Sequence, residues 1–243
     1  MSAHTEDYQA FLAERRSELL ERIAQAAAAS GRDASQITLL AVSKTVGPDE
    51  VAAAVAAGYD AFGENRPQEL VRKREALDAM GLADLRIDMI GNLQRNKINQ
   101  VIGRTSLIHS GSSEHLLEGI SKRVVARPAP PITCLIEVNV SGEATKSGMS
   151  PEEAREAFPR MLELEGVRIG GLMTMAPAAS PDAARRTFAG LRELRDGLER
   201  SHGVSLPVLS CGMSDDFDIA VEEGSTLVRL GRIVFDQAYA PVR

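Results

Sequence analysis

The sequence predicts an α/β protein: a closed (β/α)8 barrel of the TIM type, with an additional helix at the N-terminus. Three observations lead there. Short apolar runs of strand length alternate with helical stretches along the whole chain, which implies parallel strands joined by crossover helices. Eight such runs fall within 243 residues, the size of a closed barrel. The first run, 37–43, is continuously apolar rather than alternating, as expected of a strand covered on both faces. An open doubly wound sheet is the competing architecture. It usually carries a glycine-rich loop after its first strand, and here that place holds Ser43-Lys44-Thr45.

Residues 6–29 read as a long amphipathic helix that stops at Ser30-Gly31. The first strand follows. Pro48-Asp49-Glu50 then opens a helix that runs to Gly58, with proline in the first turn and acids at the positive end of the dipole. Residues 59–62 read as a strand and 67–80 as a helix. The next pairs are strand 86–90 with helix 93–102, and strand 107–110 with helix 114–125. A proline-rich connector, 127–131, leads into strand 132–140. Helix 151–164, strand 167–173, helix 181–199, a strand core at 208–209, helix 216–223 and strand 227–230 complete the series. No linker interrupts the alternation, so residues 1–243 read as one domain, with the N-terminal helix at about 6–29 and the barrel at about 37–235.

Composition narrows the class of function. Apolar residues make up 44% and charged residues 26%, ordinary for a folded domain. The net charge is −6 and no basic run occurs, which argues against nucleic acid and anionic membrane as partners. No apolar stretch approaches the roughly 18 residues of a membrane span. The first residues carry acids and lack the apolar core of a secretory signal. Cys134 and Cys211 stand among strand-like residues and read as buried reduced thiols. A cytoplasmic protein is expected.

A barrel places its site at the C-terminal ends of its strands. Lys44 follows the first strand there. Asn65 follows the second, in Gly63-Glu64-Asn65-Arg66. His109 ends the fourth and reads as a packed or hydrogen-bonded residue. Ser210-Cys211-Gly212-Met213-Ser214 follows the seventh, and Arg229-Leu230-Gly231-Arg232 closes the eighth. Lys44 in the mouth of the sheet would lose ammonium character through burial and gain a nucleophilic amine. Equally, it fits a lysine reaching out to the rim or paired with an acid. Ser214 and its neighbouring amides suit a phosphate, yet Ser214 followed by two acids also suits a plain helix cap. Arg229 shares a strand face with Gly231 and points inward, where it needs either a ligand or a structural acceptor. No metal-ligand spacing, nucleophile elbow or Walker loop is present.

Seven segments then fall in one order. They are Ala41-Val42-Ser43-Lys44-Thr45; Gly63-Glu64-Asn65 with Gln68-Glu69; Ile90-Gly91 with Leu93-Gln94 and Asn96-Lys97; Val138-Asn139 with Lys146-Ser147-Gly148; Gly171-Leu172-Met173; Gly212-Met213-Ser214 with Asp216; and Gly224-Ser225-Thr226 with Val228-Arg229-Leu230-Gly231. Together they resemble the pyridoxal phosphate (PLP) homeostasis family, YggS/PROSC-like, over nearly the whole chain. The resemblance implies a monomeric fold type III PLP-binding barrel of the alanine racemase kind, without that enzyme's second domain. It implies a protein that carries PLP as a Schiff base on Lys44 and takes part in intracellular PLP homeostasis without catalytic turnover, with PLP-dependent apoenzymes as partners. Ser214, Gly231 and the amide of Arg232 match the family's phosphate cradle, and Arg229 the arginine facing the pyridine nitrogen. Asn65 matches a residue lining the family's pocket, and the resemblance implies Ser210, Gly212 and Met213 as the rest of the cofactor-binding set. The sequence departs from the family at Asn92, Cys211, Gly111-Ser112 and Arg232.

Two other functions compete. A PLP-dependent amino-acid racemase needs a second acid–base group opposite the lysine. The three tyrosines, Tyr8, Tyr59 and Tyr239, stand at no suitable strand end. A Schiff-base aldolase without PLP usually carries its lysine on a later strand.

Overall fold

The computed structural model describes residues 3–178 and 180–239, with side chains described from Glu6 onward. His4 and the outermost residues of the 1–243 domain reading therefore lie outside the described side chains.

Eight parallel strands close into a barrel in chain order, each hydrogen-bonded to the next and β8 to β1. They are β1 (Thr38–Val42), β2 (Ala61–Glu64), β3 (Arg86–Met89), β4 (Ile108–Gly111), β5 (Ile132–Glu137), β6 (Val167–Met173), β7 (Val208–Ser210) and β8 (Leu227–Leu230). The predicted closed barrel is the observed fold. Helix α1 (Ala3–Ala29) precedes β1 and lies outside the ring. Helices α2 (Pro48–Ala56), α3 (Pro67–Ala79), α4 (Ile98–Val101), α5 (Glu114–Val125), α6 (Pro151–Leu162), α7 (Pro181–His202) and α8 (Phe217–Glu222) follow the first seven strands in turn, and α9 (Arg232–Phe235) follows β8. Proline stands in the first turn of α2, α3, α6 and α7, where its missing N–H costs nothing and its fixed φ suits the helix.

Period-two alternation sorts the strand residues. Leu40, Ala61, Leu107, Leu135, Met173 and Leu227 face inward and form a small apolar cluster of their own. Leu39, Ala41, Phe62, Ile87, Met89, Ile136, Val228 and Leu230 face outward and join the helices in the large core. Burying each such side chain contributes about 1.5–3 kcal/mol, so the outer layer dominates stability. Helix α1 adds a stripe of Leu12, Leu19, Ile23, Ala26 and Ala27. It packs on α2 and α8. Arg22 pairs with Asp218 and stacks over the Phe217 ring at 4.4 Å.

Two elements differ from expectation. The helix expected over 93–102 is a 3-10 turn, Arg95–Lys97, followed by the short α4. The segment Gln94–Lys97 is polar or charged and separates the buried Leu93 from the buried Ile98, Val101 and Ile102. The strand expected over 132–140 stops at Glu137. Beyond it only Val138 bridges to Met149, because residues 142–149 fold back over the strand end.

Candidate functional site

The described strands deliver their C-terminal ends to one rim of the barrel. On the β7–β8 side the polar groups are buried. Arg229 alternates with the inward Leu227, and its guanidinium is enclosed, the residue being 6% exposed. Its Nη1 donates to the Ser210 carbonyl at 2.8 Å and to Ser210 Oγ at 2.7 Å, and Nη2 donates to the Thr174 carbonyl at 3.1 Å. These acceptors are neutral, so the structural ion pair considered for Arg229 is not what holds it. Burial pulls its pKa down, and Cys211, Asp216 and Glu137 oppose that pull.

The hydrogen bonds continue across the barrel interior. Ser210 Oγ meets His109 Nδ1 at 2.9 Å, and His109 Nε2 meets Asp88 Oδ2 at 3.2 Å. Arg86 donates to both Asp88 oxygens. Burial, the largest influence, lowers the His109 pKa and favours the neutral ring, with Asp88 opposing. In that form His109 gives Nε2–H to the Asp88 carboxylate, and Nδ1 accepts from Ser210, whose oxygen accepts from Arg229. His109 is hydrogen-bonded and buried, as its sequence position predicts.

The loop after β7 is tied to β8 by the Arg229 amide, which donates to the Gly212 carbonyl at 2.9 Å. Gly212 has φ +93, and a Cβ there would lie 2.6 Å from the Ala220 Cβ, so no other residue fits. Met213 is 40% exposed, while Ser214 is buried. The helix cap considered for Ser214 does not form. Asp216 is the first residue of α8's boundary, and its carboxylate instead accepts from the Met213 amide at 2.6 Å. Among the described residues the amides of Ser214 and Asp215 meet no acceptor. Gly231 lies against Val42: a Cβ placed there would sit 3.4 Å from the Val42 Cβ, an ordinary contact. Neither its φ of −111 nor its packing demands glycine, and the position faces Val42 at the end of β1. The Arg232 side chain turns away to Asp215 at 3.0 Å and to the Tyr239 ring, leaving its backbone facing the same region. Tyr239, which the sequence left without a place, donates its hydroxyl to Asp215.

The β1–β2 side is open. Val42 pairs with Gly63 in register, and Lys44 and Asn65 each follow two residues later. Lys44 is exposed at the rim, whereas the mouth of the sheet was one expectation for it. The reason is local. Strand β1 ends at Val42, and a turn closed by the Val46 amide on the Ser43 carbonyl takes Lys44 out of the inward–outward alternation. Asn65 is half-buried, its amide donating to Glu64 Oε1 at 2.7 Å.

Sequence reasoning missed Glu137. It continues the inward face of Leu135 at the end of β5 and is 2% exposed. Ser147 donates to its Oε1, while Oε2 is unpartnered. Burial raises its pKa, with Ser147 and Arg229 opposing. A charged residue on the apolar face of a strand was the available signal. Both thiols are buried, and burial pushes Cys211 up to about 11. Among the described residues no group of three or more His, Cys, Asp or Glu is gathered for a metal, and no helix is long and apolar enough to cross a membrane.

The closed register thus sets an exposed amine, a loop with free amides, a glycine beside Val42 and a buried donor-only arginine around one rim. Such a set suits a carbonyl compound bearing a phosphate and a ring acceptor. The alanine racemase N-terminal domain family matches residues 17–237, and the fold is that domain's barrel. An alanine racemase from Corynebacterium glutamicum superposes with a TM-score of 0.70 at 19% identity, covering 96% of this chain and 62% of that one, a likeness of fold. The particular family follows from nearer relatives. The pyridoxal phosphate homeostasis protein of Aquifex aeolicus is 44% identical over 225 residues, covering 92% of this chain and 97% of that protein. The PipY protein of Synechococcus elongatus, solved with PLP bound, superposes with a TM-score of 0.81 at 30% identity over 92% of this chain and 99% of its own. The chain belongs to the pyridoxal phosphate homeostasis protein family.

Proposed function

We propose that this protein binds PLP at the barrel rim, holds it covalently through Lys44, and serves intracellular PLP homeostasis without catalytic turnover. One observation carries the reading: register and closure bring Lys44, the free amides of the Ser214 loop, Gly231 and Arg229 to adjacent strand ends. The family's name and PLP-bound PipY support the ligand.

PLP supplies an aldehyde that condenses with a primary amine and a phosphate that accepts hydrogen bonds. The residues present fit both. Lys44, exposed, can reach an incoming aldehyde. Ser214, with its neighbouring amides and those of Gly231 and Arg232, would hold the phosphate. Ser210, Gly212 and Met213 shape that loop, and Asn65 would line the opposite wall. Arg229 has only donors, so it would donate to the pyridine nitrogen. Two positive charges in contact repel, so that nitrogen would stay unprotonated and the ring would be a poor electron sink. No tyrosine supplies the second acid–base group of a racemase: Tyr59 is buried, Tyr8 bonds the Phe235 carbonyl, and Tyr239 is engaged with Asp215. The reading includes a single domain, a monomer, a cytoplasmic location, and PLP-dependent apoenzymes as recipients.

Borohydride treatment of the PLP-loaded protein tests it. The expected result is a reduced adduct on the Lys44 peptide, together with no Cα proton exchange in alanine or serine. An adduct elsewhere overturns the site. Exchange at rates typical of racemases overturns the carrier role.

A further inference from the structure

A buried ion pair lies on the outer side of the barrel wall, where β1 and β2 end. Lys73 sits on α3 and is 2% exposed; Glu64 ends β2 and is 1% exposed. Lys73 occupies the apolar stripe of its helix, between Leu70 and Leu77. Its Nζ meets Glu64 Oε2 at 2.5 Å and also donates to the Ser43 carbonyl. Glu64 uses its other oxygen to accept from the amides of Asn65, at 2.7 Å, and Arg66, at 3.3 Å. One ammonium therefore grips the residue before Lys44 and the residue before Asn65.

Such a pair is poorly explained by stability. Taking two charges out of water costs about as much as their attraction returns, and apolar replacements are often neutral. What the arrangement does supply is geometry. The β1–β2 ladder ends at Val42 and Gly63, with Ser43 bonding to the Gly63 carbonyl. Past that point the two chain segments diverge, and the Lys73 head joins them again from the outer side.

We propose that Lys73 and Glu64 are positioning residues for the rim: the pair fixes the backbones that carry Lys44 and Asn65 and so sets where the Lys44 amine stands relative to the phosphate loop. This rests on the PLP reading of the site. The structure predicts that loosening the clamp weakens covalent capture at Lys44 while leaving phosphate and ring contacts on β7 and β8 intact.

The test compares PLP with 4-deoxypyridoxine 5-phosphate, which has the ring and phosphate but no aldehyde. Two variants are used: Glu64→Gln/Lys73→Met, which removes both charges together, and Glu64→Asp, which keeps the charges and shortens the arm by one carbon. A misplacement near 1 Å can cost about 10–100-fold in a step that needs alignment, so PLP affinity should fall by about that factor in the double variant. Affinity for the analogue, read at a distant site, should stay within about two-fold. Glu64→Asp should lower the same ratio by a smaller factor. Both ligands weakening together would show a merely structural role and overturn the proposal. So would an unchanged ratio in either variant. Wild-type protein that forms no adduct on Lys44 overturns the PLP reading itself; a wild-type adduct with an unchanged ratio overturns the clamp alone.

Discussion

The two sides of the rim hold their groups in opposite ways. On the β7–β8 side, Arg229 is buried inside the barrel and locked by three hydrogen bonds to Ser210 and Thr174, with His109 and Asp88 behind it. On the β1–β2 side, Lys44 is exposed, and the restraint acts on its backbone from outside the barrel, through Lys73 and Glu64. A buried, fully bonded donor array is preorganised and cannot rearrange cheaply. An exposed amine is accessible to an incoming or departing partner. The difference teaches that one wall is rigid and the other accessible, and on the proposed reading the first would orient the cofactor and the second would let it come and go.

Lys44→Ala cuts the comparison most deeply. Covalent capture of PLP is expected to vanish, read as loss of the borohydride-labelled peptide. Because the side chain is exposed, stability should change by no more than about 0.5 kcal/mol in urea unfolding. A variant that unfolds would show that the open wall is not independent of the core.

Arg229→Ala should behave in the reverse sense. It leaves the Ser210 and Thr174 acceptors without their donor, with a cost of about 2–4 kcal/mol in unfolding free energy. The absorbance of bound PLP should also respond to pH, as the ring nitrogen becomes free to protonate. A mild effect on stability would show that the buried wall is not the rigid one.

Ser214→Ala is the next in size. Loss of a hydrogen bond to a charged phosphate is worth about 1.5–3 kcal/mol, or roughly one to two powers of ten in PLP affinity. Pyridoxal, which has no phosphate, should bind the variant and the wild type alike. Equal weakening of both ligands would place the phosphate elsewhere.

Glu137→Gln is the smallest and sharpest. Burial raises the folded-state pKa of Glu137 above its unfolded value. Its stabilising contribution is then present in full below the unfolded pKa and is lost as pH rises through the folded one. Relative to wild type, the glutamine variant should gain stability as pH rises from about 4 toward 7, and the two should converge in acid. Glutamine keeps an oxygen for Ser147. Unfolding free energies measured across that range check the sign, and a gap that narrows with pH would contradict it.

Much of the barrel was legible in the residues. Strands β6 and β8 and helix α5 appear at their expected bounds, because each couples a mainly apolar or amphipathic pattern to a clear start or stop. The inward direction of Arg229 and the half-polar rim also follow from strand alternation alone. Two positions were left open by the sequence. Alternation breaks where a strand ends, so the rim rather than the mouth took Lys44. Ser214 beside two acids looked like a cap, yet the loop's own Asp216 took the Met213 amide first.

The sequence by itself determined the element order, the closed parallel class and the identities of the groups that reach the rim, since these depend on local pattern and on period. Only the tertiary structure decided the partners. Ser210 and His109 are 101 residues apart, and Arg229 meets Thr174 across 55, so no spacing announces either contact. Lys73 reads as one more surface charge until packing encloses it with Glu64 and the Ser43 carbonyl. Burial is a property of what surrounds a residue, and closure of the ring is what supplies those surroundings.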